Sequence, residues 1–322
     1  MGDKALNKVI DYVPHGMNSK FYYPIESGSP ESEEMEKIKQ QLFPNGESKF
    51  TLFFNSRNIR RKSIPDTMLA WKYFIDGLPE NEANECYFIL HTDLVSDAGT
   101  DLLAVRDYIF GSDYKNIIFS TNKLPANNLN ILYNIADAQI LLTSNEGWGL
   151  TLTEAMLAGT PIIANVTGGM QDQMRFEDED GNWFTPSADV PSNHTGKYKK
   201  HGKWAFPVYP NNRSLVGSPQ TPYIWDDRCR PEDATERIME LYNMTREERK
   251  ALGLAGHEWA TGDEAKFTSK KMGETVIKNI EQLFATWKPR KHYELMLIQS
   301  KKINYHINCY INEVYICYKL PI

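Results

Sequence analysis

From Phe50 onward the chain alternates between two hydrophobic rhythms. Short, largely apolar runs recur at TLFFN (51–55), CYFIL (86–90), NIIFS (116–120), AQILLTS (138–144) and PIIANV (161–166). They are apolar at consecutive rather than alternate positions, which predicts strands covered on both faces, as in a parallel sheet. Between them lie stretches with a helical period. Residues 64–77 open with Pro65 and Asp66 and carry Met68, Leu69, Trp71 and Phe74. Residues 101–110 carry Leu102, Leu103, Val105 and Ile109, and 128–136 carry Leu129, Leu132 and Tyr133. Residues 150–157 precede Gly159, a helix-stop signal. Strand–helix alternation of this kind predicts an α/β protein with a Rossmann-like, doubly wound parallel sheet.

The flanks read differently. Residues 1–49 form a lead-in, with a turn at Val13-Pro14-His15-Gly16 and an acidic helix within 28–40. The main domain is expected over 50–290, interrupted at 178–230 by a segment rich in Pro, Asn, Gly and aromatics that reads as an irregular insertion against the sheet edge. Helices resume at 232–244 and 246–260, and a last one at 268–287 sets Met272, Val276, Ile280 and Phe284 in one apolar stripe. Residues 291–322 read as a C-terminal tail.

Composition narrows the picture modestly. With 41% hydrophobic and 24% charged residues the chain is ordinary for a globular protein, and its net charge of -6 exerts no general pull on nucleic acid. An anion site must therefore be built locally. The start of the chain has no long apolar stretch, and the four cysteines (Cys86, Cys229, Cys309, Cys317) have neither zinc nor redox spacing. A cytoplasmic location is the expectation. The sequon at Asn165 is discounted because it falls in an expected buried strand.

The segment from Ser144 to Pro161 carries the chemistry. It leaves a strand end and opens a helix, the position where open α/β sheets bind ligands. Gly147 and Gly149 allow a ligand close to the backbone, and free N–H groups at the helix start, near Leu150 and Thr151, favour phosphate. Glu146 and Glu154 flank this opening, separated by roughly 10 Å from the helical rise, which suits two ends of an extended ligand better than a shared metal. Carboxylates accept hydrogen bonds from sugar hydroxyls. After the first strand, Asn55 to Lys62 is a basic loop in which Arg57 and Lys62 provide a fork and a point charge for phosphate oxygens.

Ser144–Pro161 resembles the signature of the retaining GT-B glycosyltransferases of family four (glycosyl transferases group one), an E-x7-E pattern commonly written EGFGL followed by EAMA-x-G-x-P; Trp148 stands where Phe is commoner. Arg57 and Lys62 match the spacing of that family's G-R-x4-K-G element, with Ser56 and Ser63 in place of the glycines. Thr167-Gly168-Gly169 and Val13-Pro14-His15-Gly16 occupy further family positions in order.

The resemblance implies the C-terminal, donor-binding half of a GT-B fold. Its substrate would be a nucleotide sugar, UDP- or GDP-linked, with no cofactor and no metal. Glu146, Arg57 and Lys62 would act at the transferring group. Glu154 would hold the ribose. Gly147, Trp148, Gly149, Leu150 and Thr151 would line the donor, and Lys123 or Leu124 would meet the base. Transfer would retain anomeric configuration, with the leaving phosphate helping to accept the acceptor's proton. The acceptor (glycan, protein or lipid) and a separate N-terminal GT-B domain are the implied partners. The alternative is a non-catalytic nucleotide-sugar-binding module or a subunit that needs that domain.

Other signals fall away. Asp178-Glu179-Asp180 is an acidic turn ending at Gly181, and Lys197, Lys199, Lys200 and Lys203 read as a solvated basic loop. No G-x-G-x-x-G follows a core strand and no Walker A sequence is present, so nicotinamide and P-loop chemistry lose their main support.

Overall fold

The computed structural model describes residues 10–44, 46–184 and 193–287. Residues 10–276 group into one compact unit; beyond it the described chain holds only the end of the last helix. The tail 291–322, with Cys309 and Cys317, lies outside the described residues.

Six parallel strands make the central sheet: β1 (Phe50–Asn55), β2 (Cys86–His91), β3 (Ile117–Ser120), β4 (Ala138–Leu141), β5 (Ile162–Asn165) and β6 (Ala205–Val208). Their order is β3-β2-β1-β4-β5-β6, the Rossmann-like arrangement. Phe50, Leu52, Phe53 and Phe54 of β1 are all buried, as a strand at the centre of a two-sided sheet requires. On one face α2 (Ile64–Asp76) packs against α4 (Leu102–Phe110) and α7 (Pro231–Tyr242). Another helical layer joins α1 (Pro30–Leu42), α5 (Ala126–Ile135), α6 (Leu150–Leu157) and α8 (Arg246–Thr261). Short α3 (Glu80–Ala83) leads into β2, and α9 (Ser269–Thr286) ends the described chain.

The five anticipated strands and the helices around them are present within a few residues of their expected bounds. The region 178–230 departs from the expectation of an irregular insertion. It supplies β6, which extends the sheet, and an antiparallel hairpin of β7 (Asn212–Ser218) and β8 (Thr221–Arg228). Pro207 sits in β6, which is tolerable because that strand is an edge. The lead-in also joins the unit. Asn130 and Asn134 of α5 accept from the backbone N–H groups of Tyr23 and Ile25, and Met17 pairs with the Phe267–Thr268 backbone.

The order of strands fixes where a ligand belongs. From β1 successive strands are added toward one edge (β2, β3) and from β4 toward the other (β5, β6), so the crevice beyond the C-terminal ends of parallel β1 and β4 is the topological switch point. Asn55 ends β1, and the loop 142–149 leaves β4, so both sequence motifs converge there.

Candidate functional site at the switch point

The basic loop after β1 is a tightly held structure. Asn58, buried, donates to the carbonyls of Asp93 and Thr100 and accepts from the Thr100 N–H, tying the loop to the connection after β2. A 3-10 turn over Arg60–Lys62 follows. Ser63 then takes a left-handed conformation (φ 50°, ψ 39°) and starts α2. Serine therefore holds the backbone shape that glycine adopts more cheaply.

That turn faces the acidic loop. The Arg61 carbonyl accepts from the Ser144 N–H (2.8 Å) and the Thr143 hydroxyl (2.8 Å). Arg61 Nη1 donates to the Asn145 carbonyl (2.9 Å) and to Glu146 Oε2 (2.9 Å). Lys62 Nζ forms an ion pair with the same Glu146 oxygen. Burial works to raise the Glu146 pKa, but the bonds from Lys62 and Arg61 outweigh it and hold the carboxyl below its ordinary value. A carboxylate and two cations thus share one partly buried point.

The acidic loop is braced from behind. Gly168 (φ 53°) and Gly169 lie so close to it that a Cβ would fall 2.0 Å from the Glu146 oxygen and 2.3 Å from the Gly147 oxygen. The Gly169 N–H donates to the Glu146 carbonyl (3.2 Å). Gln173 Nε2 donates to the Trp148 carbonyl (2.6 Å) and its Oε1 accepts from Thr153. The hairpin root closes the other side: Asp227 N–H meets the Ser144 carbonyl, Asn145 Nδ2 meets Asp226, and Thr167 and Asn165 hold Asp227. Asn165 is fully buried, in keeping with the discounted sequon.

Glu154, one turn into α6, has a separate environment. Its Oε2 accepts from the Tyr133 hydroxyl (2.7 Å) and from Asn55 Nδ2 (3.4 Å), and Tyr22 also bonds to the carboxyl. Burial raises its pKa, and the bonds from Tyr133 and Tyr22 only partly offset this. The two glutamates therefore share no side-chain partner among the described residues.

The remaining expected residues divide. Gly147 is exposed, with open space where a side chain would be; Gly149 (φ 88°) caps α6; Leu150 is exposed and Thr151 half-buried at the helix start. Trp148 is buried, with its indole N–H on Thr153 and its ring against Phe267, so only its backbone is open to a ligand. Arg57 is exposed and makes no side-chain contact with the Glu146 cluster, whereas Arg61 does. Lys123 and Leu124 follow β3, two strands from β1; Lys123 is exposed and Leu124 packs on the core. Sequence reasoning passed over Arg61, Asn55, Tyr22 and Tyr133. Only Arg61, adjacent to Lys62, carried a signal.

Among the described residues no group of three His, Cys, Asp or Glu side chains is placed to hold a metal ion, and no helix is long and apolar enough to cross a membrane.

Residues 112–192, which contain both glutamates, match the model for glycosyl transferases group 1. No curated protein matches the sequence. Among solved structures, sucrose-phosphate synthase from Thermosynechococcus elongatus is similar (TM-score 0.56, 18% identity), over 85% of this chain and 53% of that one. An Anabaena protein in complex with UDP and glucose is similar over 83% of this chain and 55% of its own (TM-score 0.56, 15% identity). The C-terminal domain of a glycosyl transferase group 1 family protein from Francisella tularensis aligns with 76% of this chain and 97% of that domain (TM-score 0.50, 14% identity). At these identities the likeness establishes the GT-B, Rossmann-like fold, and the chain spans about half the length of the two longer neighbours.

Proposed function

We propose that this chain, whose residues 112–192 carry the pattern of the glycosyl transferases group 1 family, is the donor half of a retaining, metal-independent glycosyltransferase. The single observation that carries the reading is the convergence of Lys62, Glu146 and the α6 N-terminus at the switch point, with Glu154 one turn further in. The donor's diphosphate would lie against Lys62 and the free N–H groups of Leu150 and Thr151, where a cation and the helix dipole both favour negative charge. Arg57, exposed on the same loop, would join it. Glu154 would receive the ribose hydroxyls, and Glu146 with the Gly147 backbone would orient the sugar. As the glycosidic bond breaks, charge grows on the leaving phosphate, and the fixed cations and N–H groups stabilise it.

Support for a UDP-linked donor comes from the Anabaena neighbour, which was solved with UDP and glucose. A second reading has its own support. Because the chain spans about half of its longer neighbours, it fits a donor-binding module that acts only with a separate acceptor domain. Incubation with UDP-glucose and GDP-mannose, followed by proton NMR of the released sugar, tests the enzyme reading. Release of the α-anomer first, from an α-linked donor, supports retention. Release of the β-anomer first refutes it, and binding without any turnover favours the module.

A further inference from the structure

Glu146 and Lys62 pose a question that donor binding alone does not answer. Lys62 is the buried cation of the cluster, and its ammonium is engaged by a carboxylate of the protein. A diphosphate arriving at Lys62 must compete with Glu146 for the same three N–H donors. Two negative groups cannot crowd one cation without a second positive charge, and Arg61 supplies it. Its backbone carbonyl is fixed by Ser144 and Thr143, and its guanidinium already bonds to Glu146 and to the Asn145 carbonyl.

We infer, resting on the donor-site reading above, that Glu146 is the resident counter-anion of the Lys62 site, and that Arg61 is the positioning residue that keeps Glu146 in place when a diphosphate claims Lys62. Arg57 and Arg61 then have different tasks. Arg57, exposed and uncommitted, is available to the ligand; Arg61 is committed to the protein's own carboxylate. Burial lowers the Lys62 pKa, the Glu146 carboxylate partly offsets this, and the same carboxylate is a competitor that weak anions must displace. Thr143, Ser144 and Asn145 hold the far side of Arg61, so the guanidinium has no short path toward a phosphate without breaking the junction of the two loops.

The test uses the full chain at pH 7 and calorimetric titration with four probes: inorganic pyrophosphate, UDP, GDP and ADP. Glu146→Gln removes the competitor while keeping the shape, and pyrophosphate and the preferred nucleotide are expected to bind roughly three- to tenfold tighter. Glu146→Ala is the second variant and is expected to move in the same direction. Arg61→Ala separates positioning from direct contact through a double-mutant cycle. In the wild-type background it weakens binding, because an unneutralised Glu146 repels the probe; in the Glu146→Gln background its effect is expected to fall below about twofold.

Equal losses in both backgrounds would place Arg61 on the ligand and overturn the assignment. Unchanged or weaker binding in both Glu146 variants, with wild type binding a nucleotide, would overturn the inference and leave the donor site standing. A folded wild type that binds none of the four probes overturns both.

Discussion

Replacing Glu154 with Gln separates what this carboxylate does for the ligand from what it costs the fold. The side chain is buried, and its one well-placed oxygen accepts from Tyr133 at 2.7 Å and Asn55 at 3.4 Å. A glutamine oxygen accepts the Tyr133 and Asn55 bonds, the Tyr22 hydroxyl can turn to accept from the new amide, and the shape is conserved. What is lost is the charge. Ribose hydroxyls that donate to an ionised acceptor gain about 1.5–3 kcal/mol, against about 0.5–1.5 for a neutral one. The difference, about 1–1.5 kcal/mol, is roughly a five- to thirteenfold loss of nucleotide affinity by Glu154→Gln. Glu154→Ala removes the acceptor altogether and is expected to lose about 1.5–3 kcal/mol.

Stability moves the other way. Burial raises the folded-state pKa of Glu154, so the folded chain holds this proton more tightly than the unfolded one. Stability then falls as pH rises from the ordinary glutamate range through the raised pKa, and above it the ionised carboxyl is a net cost. Glu154→Gln removes that cost, and its melting temperature at pH 7 should equal or exceed that of wild type. Calorimetric titration and thermal melting of the same preparations provide both numbers. Undiminished nucleotide affinity in both variants would refute the ribose role, and a clear drop in the melting temperature of Glu154→Gln would refute the account of the buried charge.

Three further outcomes follow from single geometries. Gly168→Ala must push a methyl group into the Glu146 carbonyl from a left-handed backbone, and should cost roughly 2 kcal/mol or more while weakening nucleotide binding; an unchanged melting curve would contradict the tight approach. Ser63→Gly relieves a left-handed serine and should gain up to about 1 kcal/mol, raising the melting temperature by a few degrees; a loss would show that the hydroxyl matters more than the strain. Asp172 is pushed up to about 7 by burial, partly offset by the hydrogen bond from Tyr12. Its folded state is ionised only above that value, at a cost. Asp172→Asn should therefore stabilise more at pH 8 than at pH 5, and a pH-independent difference in melting temperature would exclude it.

The sheet and its helices were legible because a fully buried parallel strand writes itself as an apolar run, and the surrounding helices as a 3.6-residue stripe. The hairpin was not, since every residue of β7 is exposed and no face alternates. Strand β6 was hidden by Pro207, which reads as a breaker unless the strand is known to be an edge. The acidic motif was legible as a local pattern of two glycines and two glutamates. Its partners were not: Tyr22 precedes β1, Asn55 ends it, and Tyr133 lies in α5, and only the folded chain brings them to Glu154. Arg61 shows the limit of spacing. The basic loop holds three arginines, and the 3-10 turn over Arg60–Lys62 decides which of them meets Glu146.

The most direct test of the central claim is metal-free calorimetric titration of the chain with UDP, GDP, ADP and their common sugar conjugates, alongside Lys62→Ala. The account predicts saturable binding of one nucleotide series, retained in EDTA and lost in Lys62→Ala. Binding that is indifferent to Lys62, or no binding by a chain that melts cooperatively, would contradict it.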